Sequence, residues 1–105
     1  MKAKVMYWKD PRWLSTDIGN LPNHGQILSD YAIVWEGKMP EGTTPEEVFT
    51  MFNLTPEKYI DGSLPDRVQH SAMSFGDMVV LGSTLSIVLP KGRWYKIPGW
   101  TRVKV

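Results

Sequence analysis

The chain has 105 residues, a formal charge of +1 and no cysteine, which excludes disulfides, thiolate nucleophiles and cysteine-held zinc together. Its length fits a single domain over residues 1–105 with one modest core, for which five Trp, four Tyr, three Phe and six Met supply the material. Lys2, Lys4 and Lys9 interrupt any export-type apolar run, and nothing approaches the roughly 18 apolar residues of a spanning helix, so a cytoplasmic chain without membrane attachment is expected.

Lys2–Trp8 alternates charged and apolar residues, with Ala3, Val5 and Tyr7 on one side, and this period of two predicts a half-buried strand. Asp10-Pro11 ends it. Residues 11–29 hold Pro11, Gly19, Pro22 and Gly25 among scattered polar residues and read as one long connection, pinned to the core by Trp13, Leu14, Ile18 and Leu21. Tyr31–Trp35 is continuous, β-branched and aromatic, the pattern of a central strand, closed by Gly37 and the stretch Pro40–Gly42. Thr44-Pro45-Glu46-Glu47 then places a capping hydroxyl, a proline at the first helical position and a glutamate three residues after the cap. A helix of about ten residues follows, with Val48, Met51 and Phe52 on one face. Thr55-Pro56-Glu57-Lys58 suits one further turn.

Ser74-Phe75-Gly76-Asp77 is a turn delivering a strand at Met78–Leu81. Gly82-Ser83 turns into Thr84–Leu89, Lys91-Gly92 into Arg93–Ile97, and Pro98-Gly99 into Trp100–Val105. Strands gathered at the end beside a single helix predict an α+β fold: a curled antiparallel sheet or partial barrel of five or six strands with one short helix.

Chemistry-bearing residues are sparse. Ser71, Ser74 and Asp77 near His70 permit a Ser/His/Asp group on paper, without a nucleophile elbow to support it. His24 and His70 with the scattered carboxylates match no metal-ligand spacing, and the single glycines cradle no phosphate, so no catalytic residue, metal or cofactor is assigned. The final segment is richer. Period two puts Trp94 and Lys96 on one strand face, opposite Arg93, Tyr95 and Ile97, and Trp100, Arg102 and Lys104 on a face of the next strand. One side of this hairpin can gather Trp94, Lys96, Trp100, Arg102 and Lys104 as a candidate binding surface, cations with flat rings as single-stranded nucleic acid uses them. The plainer alternative is two tryptophans covering the sheet while the charges keep an edge soluble. A second aromatic group, Met6, Tyr7, Trp8 and Trp13, surrounds Asp10-Pro11-Arg12, with burial in the core as its plainer role. Charge is split along the chain: residues 30–66 are rich in Asp and Glu, whereas residues 91–105 hold Lys91, Arg93, Lys96, Arg102 and Lys104 and no acid.

The order of these blocks resembles the small YodL-like domain of phage, plasmid and conjugative-element proteins. The resemblance runs from Tyr31-Ala32-Ile33-Val34-Trp35-Glu36-Gly37, through Phe52-Asn53, Pro56 and Tyr59, to the block Ala72-Met73-Ser74-Phe75-Gly76-Asp77-Met78-Val79 and the closing Gly99-Trp100. It covers about residues 31–100, with Ala72 where the family's block has a first serine. It singles out Ser74, Gly76 and Asp77 as a turn motif and implies a mobile-element accessory protein rather than a mechanism.

The first functional reading is therefore a non-enzymatic binding domain from a phage or mobile element acting through a protein partner. Nucleic-acid binding through the Trp-rich hairpin is the alternative, and a small hydrolase using His70 the second. Neither the partner nor the oligomeric state is legible.

Overall fold

A computed structural model describes residues 1–9, 21, 23–60, 64–65, 68, 70 and 72–98. Five strands form one open antiparallel sheet: β1 (Lys2–Trp8), β2 (Tyr31–Lys38), β3 (Met78–Leu81), β4 (Thr84–Leu89) and β5 (Arg93–Lys96), in the spatial order β2-β1-β3-β4-β5. The expected α+β class and curled antiparallel sheet hold, with five strands and no closure into a barrel. The expected final strand Trp100–Val105 lies outside the described residues.

Two helices flank the sheet rather than one. The stretch read from the sequence as a loop contains helix α1 (His24–Asp30), which starts on a capping box: Asn23 accepts from the Gln26 amide while the Gln26 side chain accepts from the Asn23 amide. Helix α2 (Pro45–Leu54) carries the expected box, with Thr44 accepting from the Glu47 amide and the Glu47 carboxylate accepting from the Thr44 amide. A single 3₁₀ turn, Pro56–Lys58, follows it.

Strand alternation distributes two cores, one on each sheet face. Met6 and Trp8 of β1, Met78 and Val80 of β3 and Leu85, Ile87 and Leu89 of β4 pack with Tyr31 and with Ile27 of α1. Ala3, Val5 and Tyr7 of β1 and Val79 of β3 pack instead with Val48 and Phe52 of α2, both fully buried. Each such side chain contributes about 1.5–3 kcal/mol by leaving water, which is how a ten-residue helix that is marginal alone becomes stable.

This arrangement corrects two expectations. β1 is not half-buried: Met6 and Trp8 are as buried as Val5 and Tyr7, because β2 and β3 flank the strand while a core covers each face. β2, read as central, is an edge strand, and it runs on to Lys38. Its apolar run serves both faces because the register slips between Val5 and Met6, inserting Val34 as an unmatched residue that leaves Tyr31 with the α1 core and Trp35 with the α2 core.

Candidate functional site

Asp77 is the one charged side chain among the described residues that is fully shielded from solvent. The sheet explains its position. Pairing of β1 with β3 stops at Met6 opposite Met78, so the Trp8 amide, two residues further along β1, has run past the last β3 carbonyl. The Asp77 side chain replaces that carbonyl: Oδ1 accepts from the Trp8 N–H at 3.1 Å. Oδ2 accepts from the Ser74 N–H at 2.8 Å and from the Ser74 hydroxyl at 3.3 Å, closing the turn on itself, and meets His70 Nε2 at 2.8 Å.

The surrounding groups fix the same turn. Gly76 has φ +93°, a left-handed conformation unfavourable for a residue with a Cβ. Its amide donates to Val88 O at 2.7 Å, and its carbonyl accepts from the Tyr31 hydroxyl at 2.6 Å. The Trp8 indole N–H donates to Phe75 O at 3.2 Å. The His70 ring lies flat on Tyr7, with centroids 4.6 Å apart and planes within 10°, and tilts against Trp8. Burial pushes the Asp77 carboxyl above the usual carboxylate range, and the hydrogen bond and charge of His70 draw it part of the way back. Burial, with the nearby Asp77 charge, likewise raises the phenols of Tyr7 and Tyr31.

The structure thus brings together Ser74, Gly76 and Asp77 as the sequence motif suggested, and adds His70, Trp8 and Tyr31. The chemistry differs from a nucleophilic relay. There, the serine hydroxyl donates to the histidine, which is oriented by the acid. Here the Ser74 hydroxyl and His70 Nε2 converge on one oxygen of Asp77, and among the described residues no hydrogen bond joins Ser74 to His70. The group works as a clamp joining the turn to the end of β1. Ser71 lies outside the described residues.

The other candidate surface is only partly described. Trp94 and Lys96 share the α2-side face of β5, as period two requires, but their surroundings differ. Trp94 is half-buried, edge-on to Phe49 of α2 with ring centroids 6.1 Å apart, whereas Lys96 is exposed. Trp100, Arg102 and Lys104 lie outside the described residues. Met6, Tyr7 and Trp8 are core residues, and Trp13 and the Asp10-Pro11-Arg12 segment also lie outside them. Among the described residues no three His, Asp or Glu side chains gather as metal ligands, and no helix is long and apolar enough to cross a membrane.

Sequence reasoning noticed His70 beside Asp77 but not what each holds. The missing information was register: only the end of the β1–β3 ladder makes the Trp8 amide need Asp77. In comparisons with known proteins, no family model, curated protein or solved structure matches the chain.

Proposed function

We propose that this chain is a non-enzymatic binding domain that acts through a protein partner, as a cytoplasmic accessory protein of a phage or other mobile element. The observation that carries the reading is Phe75. It is an aromatic residue, 39% exposed, on the most heavily anchored turn of the described structure. Its carbonyl is held by Trp8, and the residues around it are held by Tyr31, Val88 and the Asp77 clamp. An exposed ring on a rigid platform loses little conformational freedom on docking, the property that makes aromatic anchors strong contributors to interfaces.

Two further features support the same reading. Leu54 and Leu28 stand 76% and 48% exposed, so apolar surface is offered on both helices. The polar groups that a hydrolase would need are turned onto one internal carboxylate. The mobile-element context rests on the resemblance of the Ala72–Val79 block. For nucleic-acid binding, the one described ring of the candidate surface, Trp94, is engaged with Phe49.

The test compares the wild type with Phe75→Asp and Phe75→Leu as baits in cytosolic extracts of candidate hosts, after melting curves establish that all three are folded. A protein retained by the wild type, lost with Phe75→Asp and recovered with Phe75→Leu supports the reading. Turnover in a substrate screen that disappears in His70→Ala, with no partner sensitive to Phe75, overturns it.

A further inference from the structure

Ser86, only 3% exposed, is the other buried polar side chain of the described core, and unlike Asp77 its hydroxyl makes no hydrogen bond among the described residues. A buried hydroxyl without a partner is unfavourable and marks a place where a ligand atom would be welcome. Its position is set by the ladders. Ser86 sits between Val79 on β3 and Lys96 on β5, all three on the face that carries α2. One step along the same ladders Val88 pairs with Trp94, and Phe49 of α2 meets that tryptophan. Pro45, one helical turn before Phe49, therefore comes down beside Ser86 and Lys96.

Between them lies a groove of about 260 Å³, walled by Thr43 and Pro45 on the helix side and by Leu81, Thr84, Ser86 and Lys96 on the sheet side. No carboxylate lines it. The Met1 amino group, which also reaches it, is already engaged with Met39 O at 2.7 Å and with Glu41 at 3.5 Å. The Glu47 carboxylate is folded back onto the Thr44 amide and hydroxyl. Lys96 makes no ion pair among the described residues, so the groove holds one uncompensated positive charge.

We propose that this groove is a carboxylate-binding site, in which the Lys96 ammonium meets the charge and the buried Ser86 hydroxyl donates to one oxygen. A single unmatched cation suits a monoanion better than a doubly charged phosphate. Pro45 and Leu81 give the apolar wall a short aliphatic stem requires. The same chemistry is offered by a free short-chain organic acid and by the C-terminal carboxylate of a peptide. The site lies at the opposite end of the sheet from Phe75, so it stands or falls independently of the partner surface.

The experiment follows backbone amide shifts of the full chain at constant ionic strength. The probes are butyrate, trialanine with a free C-terminus, trialanine amide and inorganic phosphate. Saturable shifts at Thr84, Ser86 and Lys96 with butyrate or free trialanine, and none with the amide, support the site, and the tighter of the two identifies the source. Ser86→Ala and Lys96→Met each weaken that binding about tenfold or more, the loss expected for a hydrogen bond to a charged group. Absence of saturable shifts with both carboxylates overturns the proposal. So does unchanged affinity in both variants, or tighter binding of phosphate. The wild-type titration decides even if a variant fails to fold.

Discussion

Asp77→Ala removes an acceptor on which four donors converge, and its cost follows from what each is left with. The Trp8 amide lies beyond the β1–β3 ladder beside a tryptophan that is 5% exposed, so it has no other acceptor and little access to water. The Ser74 amide and hydroxyl lose the bonds that close the turn. Each buried donor left unpaired costs about 1–3 kcal/mol. His70, a quarter exposed, regains water and adds less. The sum is about 3–5 kcal/mol, the range measured when one partner of a buried charged pair is removed. Against a total stability of about 5–15 kcal/mol for a small domain, this is a large share. Urea unfolding followed by tryptophan fluorescence should show a midpoint lowered by about 2 M for a slope near 2 kcal/mol per M. Asp77→Asn retains one oxygen for Trp8 but turns an NH₂ group toward Ser74 or His70, and should fall between the wild type and Asp77→Ala. His70→Ala should cost least of the three. An Asp77→Ala midpoint corresponding to less than about 1 kcal/mol of destabilisation would refute the clamp, because three donors would then have found partners without the carboxylate.

Three other variants probe the packing around this frame. The raised phenols of Tyr7 and Tyr31 mean that the folded state holds its phenolic protons more tightly than the unfolded chain, so stability is complete below about pH 10 and declines as pH rises further. Tyr31→Phe, despite losing the bond to Gly76 O, should show a shallower alkaline decline in pH-dependent urea melts. Trp94→Ala should lower stability by about 2–4 kcal/mol, since its indole packs against Phe49, and a purely surface tryptophan would change it by less than about 0.5 kcal/mol. Gly37→Ala places a methyl group 2.8 Å from the Trp35 ring, which Phe52 and Tyr59 already flank edge-on, so a loss of about 1–3 kcal/mol with shifted Trp35 ring resonances is expected.

Local chemistry was legible in the sequence where one segment determines its own structure. Thr44-Pro45-Glu46-Glu47 specifies its capping box without help from the rest of the chain, and the period of two put Trp94 and Lys96 on one face correctly. Helix α1 was equally local in principle, since Asn23 and Gln26 stand at capping-box spacing, but Gly25 and the neighbouring Pro22 favoured a loop reading. What could not be read was anything set by strand order. The apolar run of β2 looks central because a bulge at Val34 turns its side chains to both cores, although its backbone pairs on one side only. Ser86 shows the same limit. A serine in Thr-Leu-Ser-Ile-Val-Leu is an ordinary polar position of a strand until the ladders place it between Val79 and Lys96 under the start of α2.

The Ser-Phe-Gly-Asp turn carries a consequence for how its resemblance to other sequences is interpreted. Gly76 is required by a left-handed backbone in a buried place, and Asp77 by an amide that outruns its ladder. Both requirements come from the junction of β1 with β3. Neither involves a ligand. A chain that shares Ser74, Gly76 and Asp77 in this register is therefore expected to share the clamp and the antiparallel pairing behind it, while remaining free to differ at Phe75, whose side chain points outward. Motif and function separate within four consecutive residues: the invariant demand falls on Gly76 and Asp77, and specificity for a partner falls on the ring they hold in place. Exchanging Phe75 for other residues should then change what is bound while leaving the urea midpoint within about 0.5 kcal/mol of the wild type. A large loss of stability would instead make that ring part of the clamp.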